Sequence, residues 1–127
     1  MLNYISVFSQ AIGLARHAST RQGLAASNMS NADTPGYRAK DIPDFNVDQT
    51  NAAQPPRATR PGHVTASPDS TFRARAVTTD AESPNGNTVS LEEEMVRATE
   101  AERSHDMAMT VYSKSLELLR MSLGRRR

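Results

Sequence analysis

Apolar residues recur at helical spacing towards both ends of this chain and keep no sustained spacing between them. In the first segment, from about Leu2 to about Asn31, Ile5, Phe8, Ile12 and Ala15 follow alternating steps of three and four residues, which places them on one face of a helix. The stripe continues weakly through Ser19, Gln22, Ala26 and Met29. Gly13 and Gly23 each cost about 1 kcal/mol against Ala in a helix interior, so this helix is poorly self-supporting. Its small stripe residues allow another helix to approach closely.

The pattern in the last segment is stronger. Leu91, Met95, Ala98, Glu102, His105, Met109, Tyr112, Leu116, Leu119 and Leu123 keep a 4-3-4-3 spacing, the period of a coiled coil. Only Glu102 and His105 are neither apolar nor Tyr, and a polar contact that sets register is their simplest role. Ser90-Leu91-Glu92-Glu93 reads as a capping box, with Ser90 as N-cap. Glu92 to Glu94 complement the positive end of the helix dipole, and Arg120 with Arg125 to Arg127 the negative end. Gly124 is a natural stop. Such a helix is about 50 Å long at 1.5 Å per residue.

All seven prolines (Pro35, Pro43, Pro55, Pro56, Pro61, Pro68 and Pro84) fall between these segments. The chain therefore divides into a helical arm over 1–33, a proline-rich middle over 34–89 and a second arm over 90–127. The middle is irregular, with room for a short β-hairpin. Phe72, Ala74 and Ala76 alternate with Arg73 and Arg75 and predict a short strand within Thr71–Val77. Residues 51–56 read as flexible linker. The expected fold is mainly α, with the two long arms packed as an antiparallel coiled-coil-like pair. Two helices leave further faces open, so other helices are expected from neighbouring molecules.

Composition narrows the classes of function. The 127 residues carry 15 basic and 14 acidic side chains, a net charge of +1, which argues against a dedicated nucleic-acid binder. There is no cysteine and hence neither a disulfide nor a thiolate-ligated zinc. Hydrophobic content of 37% with 5% aromatics supports no large core and leans towards partial disorder of the isolated chain. No stretch reaches the ~18 apolar residues of a membrane span. The opening residues show no basic region followed by an apolar core, so no cleavable secretory signal is expected. His17, His63 and His105 lack ligand spacing. Asp41 and Asp44 could be read as a carboxylate pair for glycoside cleavage, but no aromatic-rich cleft accompanies them. No cofactor is expected.

The first arm is stopped by Asn28-Met29-Ser30-Asn31-Ala32-Asp33-Thr34-Pro35-Gly36-Tyr37. Asn31 and Asp33 compete for backbone hydrogen bonds, Pro35 cannot continue a helix, and Gly36 permits a turn. Together with Arg21-Gln22 and Ala25-Ala26-Ser27 before it, this run resembles the signature of the bacterial flagellar rod and hook proteins. Arg38-Ala39-Lys40-Asp41 with Asp44-Phe45, the position of His63, and Pro84-Asn85-Gly86-Asn87-Thr88-Val89 ahead of the acidic helix start are similar to one of the two sister proximal-rod types of that family. Ala101 and His105 depart from the family pattern, where Asn and Tyr are frequent, and the Arg125–Arg127 tail is not a family feature.

The resemblance implies a non-catalytic subunit of the flagellar basal-body rod. It implies export by the flagellar type III apparatus without signal cleavage, and helical assembly across the periplasm with copies of itself and other rod proteins. The shaft would carry torque, enclose an export path and meet the membrane-proximal adaptor ring, with no nucleic acid and no direct membrane span. The residues it points to as subunit contacts are Asn28, Asn31, Thr34, Pro35, Gly36 and Tyr37. The helix seam is expected at Ile5, Phe8, Ile12, Leu91, Met95, Met109, Tyr112, Leu116, Leu119 and Leu123. The rival readings are the sister proximal-rod protein, a peptidoglycan hydrolase using Asp41, and an adaptor of the export apparatus.

Overall fold

A computed structural model describes residues 2–47, 72–77 and 83–124, with side chains from residue 6 onward in the first helix. The element order is α1 (Leu2–Ser30), β1 (Lys40–Asp41), β2 (Arg75–Ala76) and α2 (Leu91–Gly124). The molecule is mainly helical, and α1 and α2 pack against each other along their length. They run antiparallel: the Phe8 ring lies 4.6 Å from that of Tyr112, while at the other end Asn87, just ahead of α2, bonds to backbone just beyond α1. The short strands form a two-stranded antiparallel sheet, Lys40 opposite Ala76 and Asp41 opposite Arg75. The strand expected within Thr71–Val77 is thus confined to two residues.

Local chemistry sets the helix ends. Past Ser30, α1 tightens: the Asn31 N–H donates to the Asn28 carbonyl at 3.0 Å and the Ala32 N–H to Met29 at 3.2 Å. The Asn31 amide donates to the Ser27 carbonyl at 2.8 Å, taking up an acceptor the ending helix leaves open. Gly36 turns the chain at φ 71°, a left-handed conformation that a Cβ disfavours. At the start of α2 the Ser90 hydroxyl accepts from the Glu93 N–H at the outer limit of 3.5 Å. The Glu93 carboxylate turns instead to Arg97 at 3.4 Å.

The line of contact between the helices differs from the stripe of large apolar residues. On α1 the buried positions include Ala11, Ala18 and Ala25; on α2 they are Glu94, Ala101, Ala108 and Ser115. Both sets repeat every seven residues. Leu91, Met95, Met109 and Leu123, expected in the seam, stand 48%, 56%, 47% and 78% exposed in the single chain. Ser19, Gln22 and Ala26 are exposed as well, whereas Phe8, Ile12, Tyr112, Leu116 and Leu119 are half-buried. The physical reason is backbone distance. Two helices come close only where the facing side chains are small, and larger ones at the same line would overpack it. The large residues move to the flanks of that line.

The expectations for the Ile5 side chain, His63, residues 51–56 and the Arg125–Arg127 tail lie outside the described residues. Among the described residues no helix is long and apolar enough to cross a membrane.

Candidate assembly site

Two regions carry the residues singled out from the sequence: the closed end of the hairpin and the outward flanks of α2. The closed end is built from buried amides. Asn28, 1% exposed, treats Lys40 as a neighbouring strand would: its Nδ2 donates to the Lys40 carbonyl at 2.8 Å and its Oδ1 accepts from the Lys40 N–H at 3.0 Å. The Tyr37 hydroxyl donates to the same Oδ1 at 3.3 Å. The chain leaving α1 is thereby folded back against its last turns.

Asn87 performs the matching task from the other side. Its Nδ2 donates to the carbonyls of Asn31, Ala32 and Thr34 at 3.0, 2.7 and 2.9 Å. Its Oδ1 accepts from the Val89 N–H at 2.8 Å, which shapes the entry into α2. Around it, the Gly36 N–H donates to the Asn85 carbonyl at 3.0 Å and the Thr88 N–H to the Tyr37 carbonyl at 3.1 Å. The Ala39 N–H donates to the Thr88 hydroxyl at 2.9 Å. Gly86 sits at φ 78° and donates to the Ser83 carbonyl at 2.8 Å, so this turn also needs a glycine. Buried polar groups are stable only when paired, and here they pair across about 50 residues of sequence.

Of the six signature residues, then, Asn28 faces inward, Asn31 and Tyr37 are half-buried, and Thr34, Pro35 and Gly36 form an exposed tip. Asn87 was not among the expected site residues. The signal that could have found it is the side chain itself: an Asn three residues before a helix's N-cap, following an Asn-Gly turn, has spare donors for a neighbouring helix end.

Arg21, from the first half of the signature region, clamps the loop after α1. Its Nε and Nη2 hold the Asp41 carboxylate at 3.1 and 3.0 Å, and its Nη1 reaches Asp44 at 3.2 Å. The hydrogen bonds that Arg21 donates to Asp41 and the charge of both carboxylates raise its guanidinium above its usual range, against desolvation, which lowers it. Asp41 and Asp44 border a shallow groove of about 300 Å³ with Arg75 and Val77, and both serve one guanidinium rather than an acid–base couple. Next along α1, the buried His17 donates from Nε2 to the Pro43 carbonyl at 2.7 Å. Its ring packs 5.7 Å from Phe45 and 5.1 Å, edge-on, from Phe72. His17 is thus a packing residue tying the middle of the chain to α1.

The second region is the surface of α2. Seen from the buried line, Met95, Met109 and Leu123 share one heptad column on one side, and Val111 and Leu118 share another on the opposite side. All five are exposed. The first column also holds the half-buried Leu116 and is interrupted by the exposed Glu102; exposed large apolar residues gathered along one helix face mark interaction sites.

A long helical hairpin formed by the two terminal segments, with a short sheet near its closed end, is the class of protein that the fold defines. No protein-family model matches the chain. It is 32% identical over 127 residues to the flagellar basal body rod protein FlgB of Agrobacterium fabrum, a likeness covering 95% of each chain. The chain belongs to the FlgB-type flagellar basal-body rod proteins. Membership makes it a structural component of the rod and not an enzyme, located in the flagellar basal body and assembled with other rod components.

Proposed function

We propose that the hairpin is an axial building block whose α2 flanks are covered by helices of adjacent subunits. The observation that carries this reading is the pair of exposed apolar columns on either side of the line covered by α1. A two-sided apolar helix is satisfied by neighbours on both sides, and a head-to-tail contact repeated around an axis builds a tube or a helical shaft. In that arrangement terminal helices from copies and from related rod proteins form the wall, transmit torque and line the export channel. The exposed Thr34–Gly36 tip, held rigid by the amides beneath it, is the part of the signature free to touch a neighbour.

Family membership supports the remainder of the reading. The subunit reaches its site through the flagellar type III apparatus without signal cleavage, spans part of the periplasm and meets the membrane-proximal adaptor ring at the base. Replacement of Met95 and Met109 by Lys tests the central point, since both are exposed and tolerate charge in the free chain. Helix content of the purified variant stays unchanged while incorporation into basal bodies is lost. Normal incorporation of the double variant would refute the assignment of this column to a subunit contact.

A further inference from the structure

The two buried columns are close to self-similar under a slip of one heptad. Interpolating between the Phe8–Tyr112 contact and the Asn87 bonds places Ala11 level with Ala108, Ala18 with Ala101, and Ala25 with Glu94. Slide α2 by seven residues, and Ala18 meets Ala108, Ala25 meets Ala101 and Ala11 meets Ser115. These three facing pairs are again small, Glu94 leaves Ala25 for the level of Ala32 beyond the end of α1, and Phe8 moves from Tyr112 to the level of Leu118 and Leu119. Packing of this kind discriminates weakly between registers, as flat or repetitive strands do in sheets. A single polar residue is the usual device that selects one register in a helical pair.

We infer that Asn87 is the positioning residue that selects the register of the α1–α2 hairpin. Its amide reaches the carbonyls of Asn31, Ala32 and Thr34 only when α2 begins level with the end of α1. A heptad slip moves it about 10 Å along the axis at 1.5 Å per residue and strands a fully buried amide. Asn28 cannot make this selection, because its partners Lys40 and Tyr37 lie on the segment directly following α1 and move with it. Asn85 and Thr88 also bond across the arms, to residues 36–39, but Asn87 is the side chain that binds the end of α1 itself, through three carbonyls. The register in turn fixes where the outward columns of α2 stand relative to α1, so Asn87 governs the surface offered to neighbours without touching them. The inference stands on the hairpin alone and does not depend on what covers it.

The absence of native cysteine allows spin labels at Thr20→Cys and Thr99→Cys, exposed helix positions at the same level. Pulsed electron spin resonance on the full chain reads one short distance population. Asn87→Ala adds a second, longer population displaced along the axis by about 10 Å, with helix content retained. Asn87→Asp keeps the acceptor for Val89 but has lost its donors, and its carboxylate faces three carbonyls. Burial beside them favours the protonated acid, which regains one donor, so the slipped population of this variant shrinks as pH falls from 8 to 5. A single unshifted distance in Asn87→Ala would overturn the inference. If that variant fails to fold, Asn87→Asp decides alone: one unshifted distance at both pH values overturns the inference.

Discussion

The closed end of the hairpin and the outer flanks of α2 use opposite chemistries. At the closed end, buried amides and carbonyls find their partners within the chain, through directional bonds from Asn28 and Asn87 that tolerate one geometry. On the flanks, Met95, Met109, Leu118 and Leu123 are left to solvent, and their attraction is non-directional. The contrast separates two jobs. Hydrogen bonds define the subunit, and apolar area is reserved for what the subunit joins. A rod protein needs both: a unit with a fixed shape and an outside that is incomplete alone.

Loss of a whole helical segment has the largest effect. Removing residues 110–127 deletes half of α2, including Tyr112 and Leu123, and rod assembly is abolished while the protein is still made; normal rods in an assay of basal bodies from the truncated strain would argue strongly against the account. Removing residues 1–20 has the same outcome through loss of Ala11 and Ala18. Next comes the contact line itself. Ala108→Leu forces a branched side chain between closely apposed helices and costs about 3 kcal/mol in denaturant unfolding.

Smaller effects sharpen the closed end. Asn28→Ala strands both backbone groups of Lys40 and costs about 2 kcal/mol by the same measurement. Arg21→Gln removes a part-buried bidentate ion pair and costs about 1 kcal/mol. At the bottom of the scale, Lys114→Ala removes a solvent-exposed partner of Glu117, whose carboxyl it holds below the usual range by a hydrogen bond and by its charge. No measurable change in unfolding midpoint is expected from it.

Much of this architecture is written in residue types with local meaning. Proline and glycine mark the end of α1, Ser90 and the glutamates mark the start of α2, and the spacing of apolar residues shows that both segments are helical. What local pattern does not convey is which face the helices share. The eye follows Leu and Met, yet a close helix pair buries Ala11, Ala18, Ala101 and Ala108, whose smallness carries little weight in a hydrophobic pattern. The family signature was equally legible as a motif, but its bonding was not. Asn28 and Asn87 act through partners 12 and over 50 residues away, and nothing in either segment alone announces the other. The same holds for His17, whose partners Pro43, Phe45 and Phe72 come from the proline-rich middle.

Methionine oxidation reads directly whether the outer face of α2 is covered in the rod, because Met95 and Met109 lie on it. In the free chain Met95 and Met109 stand exposed and are oxidised readily by dilute peroxide. In purified basal bodies the account predicts that both are protected about tenfold or more, as a side chain moved from solvent into a helix–helix contact should be. Equal oxidation of Met95 and Met109 in free chain and basal body would contradict it, since the apolar flank of α2 would then be bare in the finished rod.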